Sequence, residues 1–236
     1  SIHFGIIYMI FATRSLKPLN NPVLKFYAGT ILVAALLVAF SLKMSSAGFT
    51  WGESFMTGVF QVVSSISTTG FAISDNNTWP LFACIITVLI TVPCAMAGST
   101  TGGIKMDRML LMFKSVGQQV KSSMHPSSIN QVHIGNHMLG NNEIYPHVVF
   151  IGLYFITIAA SMALTILSGM DVQNSLASSI SCLSNVGPAL ESVGTLGNYN
   201  GIPVLAKVVF IVDMFLGRVE IYPVLAVVTM AFSGRK

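Results

Sequence analysis

One serine-rich, glycine-ended stretch occurs twice in this chain. It reads Ser64-Ser65-Ile66-Ser67-Thr68-Thr69-Gly70-Phe71 and then, 117 residues later, Ser181-Cys182-Leu183-Ser184-Asn185-Val186-Gly187-Pro188. At that offset Gly52 meets Gly169, Ser64 meets Ser181, Ser67 meets Ser184 and Gly70 meets Gly187, while Val59/Leu176, Val63/Ile180 and Ile66/Leu183 stay apolar. An internal repeat limits the chain to architectures that use one unit again. Each copy lies between two long apolar runs, so each unit reads as span, short amphipathic segment, polar glycine turn, span. That is the layout of an ion-channel pore unit.

The flanks of the repeat define its solvent. The chain is 53% hydrophobic and 8% charged, against about 25% charged in an ordinary soluble domain. Apolar runs at 26–42, 81–97, 147–167 and 203–216, the last continuing to 232, are each near the roughly 20 residues a helix needs to cross a bilayer. Four spans are expected. Residues 1–12 are too short to cross and lack the charged start and cleavage site of a signal peptide, so they read as the tail of a helix that begins earlier.

Basic residues near span ends tend to stay cytoplasmic. Arg14, Lys17 and Lys25 fall in the first loop, Lys105, Arg108, Lys114 and Lys121 in the middle one, and Arg235 and Lys236 at the end, with Lys43 alone on the other side. The glycine turns, with Glu53, Asp75, Asp171 and Glu191 near them, are therefore expected to face outward. No cluster of Lys and Arg interleaved with aromatics suggests a nucleic-acid partner. Cys84, Cys94 and Cys182 lack metal spacing and read as small buried hydrophobes. His133 and His137 could share a helix face, yet no cysteine or acid stands at zinc spacing, so they read as part of a cytoplasmic loop that also holds Gly135, Pro126, Asn141 and Asn142.

Residues 52–66 and 169–183 are too short to span a membrane and too polar on one face to lie against lipid. Re-entrant pore helices fit that length. Non-helical backbone at membrane depth survives only where protein or water satisfies its polar groups, so the turn after each helix implies a lined cavity. Glycine there permits the dihedrals that point successive carbonyls at one axis, and such carbonyls can replace a cation's hydration shell.

A single helix over 80–113 would be about 50 Å long. Pro93 and the stretch Gly98-Ser99-Thr100-Thr101-Gly102-Gly103 are expected to break it. A phosphate-cradling loop does not fit, since Ile104 separates Gly103 from Lys105 and Met106 follows. Unwound backbone in mid-membrane belongs on an ion path. Arg218, about halfway along the last run, is costly unless paired or hydrated and therefore marks a functional position. Asp213 and Glu220 are its nearest candidate partners in sequence, and the expected place of Arg218 is in the cavity beside the glycine loop. Lys207 is expected to snorkel to the outer interface.

With these motifs in order, the chain resembles the C-terminal half of the TrkH/KtrB/HKT superfamily of potassium transporters, TrkH branch. The similar motifs are Ser67-Thr68-Thr69-Gly70-Phe71, Ala97-Gly98-Ser99-Thr100-Thr101-Gly102-Gly103-Ile104-Lys105, Leu183-Ser184-Asn185-Val186-Gly187-Pro188 and Leu216-Gly217-Arg218-Val219-Glu220-Ile221. The resemblance implies an all-α membrane protein with two tandem span-pore helix-span repeats and re-entrant filter loops. On that scheme residues 1–25 end a preceding helix and loop, 26–115 form the third pore repeat with a broken second helix, 116–145 form a cytoplasmic loop and 146–236 form the fourth repeat. It also implies filter carbonyls from Thr68, Thr69, Gly70, Phe71, Asn185, Val186, Gly187 and Pro188, with potassium at Thr68, Thr69, Asn185 and Val186. The loop Gly98, Ser99, Thr100, Thr101, Gly102, Gly103 is then an intramembrane gate and Arg218 its associated charge.

The family pore needs four filter strands, and this chain holds two, so alone it is not expected to conduct. The implied partners are the half carrying repeats one and two, a second copy in a homodimer, a cytosolic nucleotide-binding regulator of the TrkA or KtrA type and the lipid bilayer. The implied location is the bacterial inner (cytoplasmic) membrane, with several passes. No cofactor is expected beyond the transported potassium ion. Two other classes compete. An ion-coupled secondary transporter would use broken helices for a bulkier solute. An intramembrane serine hydrolase would need a base beside Ser64, Ser67 or Ser184, and the spans offer no central histidine, His147 lying at a span end. The expectation is therefore a potassium uptake protein and not an enzyme.

Overall fold

The computed structural model describes residues 1–45, 48–125, 132–134, 137–190 and 193–232. Glu191, Arg235, Lys236, Pro126 and Gly135 lie outside the described residues.

Helix α1 (Phe4–Thr13) leads through a short 3-10 turn to α2 (Pro22–Met44). Asn21 starts α2 by accepting the Val23 N–H at 2.8 Å, and Pro22 occupies the first turn, where its missing N–H costs nothing. The 23 residues of α2 reach about 34 Å. Lys43, expected in a loop, lies in the last turn of α2, where its charge suits the helix dipole; its Nζ donates to the Phe49 carbonyl at 3.1 Å and sits 5.8 Å from the Trp51 ring.

Helix α3 (Trp51–Ile66) starts in a capping box between Thr50 and Glu53 and packs along α2. A Cβ on its Gly58 would stand 3.0 Å from the Ala39 nitrogen and 3.2 Å from the Ala35 oxygen, the small-residue contact that lets helix backbones approach in a membrane. Then follow α4 (Leu81–Ile90), α5 (Met106–Met124), α6 (Asn141–Leu167), α7 (Val172–Ser184), α8 (Val204–Val219) and α9 (Ile221–Phe232). Helix α7 packs between α6 and α8.

Helices α2 and 142–167 of α6 are each long and apolar enough to cross a membrane. The other two expected spans are not single helices. The run 81–97 is helical only to Ile90, and the run 203–232 breaks at Glu220, which has φ +68. The middle segment also differs from a loop over 116–145, because α5 continues to Met124 and α6 begins at Asn141. Between them β3 (Val132–Ile134) pairs antiparallel with β4 (His137–Leu139), so His133 and His137 sit on facing strands and share no helix face.

Two buried clusters hold the halves. Val38, Leu42, Val62, Ile66 and Ala83 join α2, α3 and α4, while Phe150, Tyr154, Ile158, Ile180, Leu183 and Ile221 join α6, α7 and α9. Leu32, Val33, Leu36 and Phe40 of α2 and Val208, Ile211, Val212 and Phe215 of α8 are exposed apolar side chains, as expected where lipid or further apolar protein replaces water.

Candidate functional site

The two glycine turns are built by the same hydrogen bonds. Thr69 N–H donates to the Ser64 carbonyl at 2.9 Å, and Val186 N–H to Ser181 at 3.0 Å; Thr68 N–H reaches Ser65 at 3.1 Å, and Asn185 N–H reaches Cys182 at 3.0 Å. The Ser64 hydroxyl donates to the Phe71 carbonyl at 2.6 Å, and the Ser181 hydroxyl donates to the Pro188 carbonyl at 2.6 Å. The serines of the repeated sequence therefore tie each turn back to the helix that delivers it.

Backbone dihedrals repeat as well. Thr68 and Asn185 have φ +53 and +59, and Gly70 and Gly187 have φ +75 and +103. Left-handed residues at alternate positions rotate the peptides of a short segment differently from a strand, whose carbonyls alternate sides. A β-branched residue such as Thr68 at positive φ is a strained outlier, of the kind retained at binding sites. The turns also meet: a Cβ on Gly70 would stand 2.3 Å from the Val186 carbonyl oxygen.

Of the eight expected coordinating carbonyls, those of Phe71 and Pro188 accept serine hydroxyls and that of Gly187 accepts the Tyr199 hydroxyl at 2.7 Å. Among the described residues, the carbonyls of Thr68, Thr69, Gly70, Asn185 and Val186 accept no hydrogen bond. Uncommitted oxygens of this kind are suited to a bare cation.

Next to the second glycine turn lies the broken helix. A two-residue parallel bridge, β1 (Pro93–Cys94) against β2 (Ile104–Lys105), closes the neck of the loop. The loop is then pinned from several sides. Ala97 N–H donates to Asp107 Oδ2 at 2.6 Å, the Ser99 hydroxyl to the Met96 carbonyl at 2.6 Å, and Lys105 Nζ to Thr101, with its hydroxyl at 3.0 Å and its carbonyl also in contact. A Cβ on Gly102 would stand 2.7 Å from the Ser184 carbonyl oxygen, so the loop abuts the end of α7. A cavity of about 380 Å³ borders Gly98, Ser99, Thr100, Thr101, Lys105 and Arg218.

Arg218 donates through Nη1 to the Thr100 carbonyl, the expected meeting of charge and loop. Its route differs from the expected one. It stands in the last turn of α8 and is exposed, not halfway along one span. Neither acid nearest in sequence serves it: Asp213 Oδ1 accepts the Ser161 hydroxyl at 2.6 Å, and Glu220 pairs with Arg108 at 2.7 Å. Arg108 also lies 3.9 Å from the Phe150 ring centre, and Lys105 is buried, so two charges expected in a cytoplasmic loop belong to the floor of this site. The available signal for the break was Pro223, which suits a first helical turn and disrupts a helix interior.

Lys207 donates to the Asn200 carbonyl at 2.9 Å, near the start of α8. The three cysteines are free and buried. Ser64 bonds the Phe71 carbonyl, Ser67 bonds the Val63 carbonyl, and Ser184 bonds the Tyr154 hydroxyl at 2.7 Å.

A profile of the TrkH family, described as cation transport protein, matches residues 20–233. The chain belongs to the TrkH family. The Trk system potassium uptake protein TrkH of Escherichia coli K12 is 30% identical over 235 residues, covering 98% of this chain and 47% of that protein. The Trk system potassium uptake protein TrkG of the same strain is 26% identical, covering 99% of this chain and 47% of its own length. The crystal structure of the potassium transporter TrkH from Vibrio parahaemolyticus superposes with a TM-score of 0.89 at 26% identity, covering 98% of this chain and 49% of that one. This TrkH-family chain therefore spans about half the length of the relatives it matches. It is a predominantly helical membrane protein, like them.

Proposed function

We propose that this chain supplies two of the four filter turns of a potassium uptake protein of the bacterial cytoplasmic membrane. In this reading the segments 26–115 and 146–236 are the third and fourth span-pore helix-span repeats, and α3 and α7 are re-entrant pore helices. Potassium is held by backbone carbonyls around Thr68, Thr69, Asn185 and Val186. The observation that carries the reading is the duplicate construction of the turns, which share two backbone hydrogen bonds and one serine-to-carbonyl bond at equivalent positions, with five carbonyls left uncommitted. The names of the relatives, potassium uptake protein and potassium transporter, support the choice of ion.

The loop from Gly98 to Gly103 acts as the gate, and Arg218 holds it shut through Thr100. A fixed positive charge beside the path also opposes a waiting cation. Repeats one and two complete the ring, a second copy makes a homodimer, and a nucleotide-binding regulator of the TrkA or KtrA type docks on the cytoplasmic face.

The hydrolase reading is disfavoured by the candidate serines, whose hydroxyls bond carbonyls and the hydroxyls of Thr69 and Tyr154, with no histidine or lysine partner among the described residues. The test is rubidium uptake into liposomes carrying the full-length parent protein. Uptake that potassium competes supports the reading, and uptake indifferent to potassium contradicts it.

A further inference from the structure

The segments that leave the two glycine turns are tied to each other. Asn76, 5% exposed, follows the first turn, and Thr195 follows the second. Asn76 N–H donates to Thr195 Oγ1 at 3.0 Å, and Thr195 N–H donates to Asn76 Oδ1 at 3.1 Å. The Asn76 side-chain Nδ2 donates to the Ala189 carbonyl at 2.9 Å, and the Thr195 hydroxyl donates to the Ser74 carbonyl at 2.9 Å. Both ends of the Asn76 amide thus engage the other repeat. Ala189 directly follows Pro188, whose carbonyl Ser181 holds.

A cavity of about 20 Å³ lies beside this clamp, bordered by Gly70, Val186, Pro188, Asn76, Thr195 and Gln61. Gln61 Oε1 is buried and has no hydrogen-bond partner among the described residues. Gly70 and Val186 touch directly, since a Gly70 Cβ would fall on the Val186 carbonyl oxygen, and both border this small polar cavity. Around that contact, the hydrogen bonds that join Asn76 to Thr195 and Ala189 tie together the segments leaving the two turns.

We infer that Asn76 and Thr195 are positioning residues for ion selection. They fix how far the carbonyls of the third-repeat turn stand from those of the fourth, and so how closely the ring fits one cation radius. The inference rests on the filter reading above. Neither residue touches the ion.

The experiment measures rubidium and sodium flux separately in liposomes holding the full-length parent protein and its Asn76→Ala, Thr195→Val and Thr195→Ser variants. Thr195→Val keeps the shape and the backbone N–H and removes the hydroxyl, so it decides the matter if Asn76→Ala fails to fold. The expected result is a drop of about fivefold in the rubidium-to-sodium ratio for Asn76→Ala and Thr195→Val, the factor that a hydrogen bond of about 1 kcal/mol represents. Total cation flux persists, and Thr195→Ser keeps the wild-type ratio. An unchanged ratio in folded, conducting Thr195→Val overturns the inference while leaving the filter reading intact. Failure of the filter reading has a separate signature, an unaltered flux and ratio in Gly187→Ser, and would remove the basis of this inference too.

Discussion

Gly217 of α8 stands against Leu183 near the end of α7, so close that a Cβ would lie 1.8 Å from the Leu183 carbonyl oxygen and 2.7 Å from Asn185 Nδ2. The oxygen belongs to backbone that the buried Leu183 side chain and the Tyr154–Ser184 hydroxyl bond hold in place. It has little room to retreat. The helix carrying Arg218 is therefore seated on α7 through a glycine, one residue before the arginine.

Gly217→Ala should lower stability by about 1–3 kcal/mol, the usual cost of overpacking a tight contact. Thermal melting in detergent reads this directly. Gly152→Ala in α6 is the control, because a Cβ there meets nothing within 4 Å, and it should be neutral or stabilising by up to about 1 kcal/mol. Equal melting points for the two variants would show that α8 shifts freely over α7.

Arg218→Gln removes the charge and the charge-assisted bond to the Thr100 carbonyl. Transport by the full-length protein should rise, by about tenfold if that bond contributes about 1.5 kcal/mol to the closed loop. Unchanged or lower flux in correctly folded protein counts against the latch.

The start of α3 carries a pH dependence. The Thr50 N–H and then the Thr50 hydroxyl, each 2.8 Å from Glu53 Oε2, hold the Glu53 carboxyl below its ordinary value. A depressed carboxyl stabilises the folded state above the unfolded pKa, about 4.3 for glutamate, and that contribution is lost as pH falls through the folded value. Thr50→Ala should lower the melting point at neutral pH and narrow its difference from wild type at acid pH. A difference independent of pH would remove Glu53 from the cap.

Much of this was legible in the sequence because repetition carries geometry. Ser64 and Ser181 share an offset, and each holds the carbonyl seven residues on. The loop from Gly98 to Gly103 was readable because three glycines and a nearby proline cannot continue a helix. The charges were less legible. Arg108 finds Glu220 across 112 residues, a pairing that depends on how α5 meets the break after α8. Glu220 itself adopts φ +68, which its residue type does not announce; Pro223 signals only that the helix is interrupted nearby. The Asn76–Thr195 clamp was invisible for the same reason: both are ordinary turn residues until the two repeats are side by side.

The most direct test of the central claim is cation flux in Gly187→Ser. A Cβ at Gly187 meets nothing within 4 Å, so the substitution challenges only the backbone at φ +103, whereas Gly70→Ser also collides with the Val186 carbonyl. Rubidium and sodium flux through the full-length parent protein in liposomes should show lost or less selective transport in Gly187→Ser, with Gly70→Ser affected at least as strongly. Intact, potassium-competed flux in both variants would mean that the repeated glycine turns are structural loops and that the ion passes elsewhere.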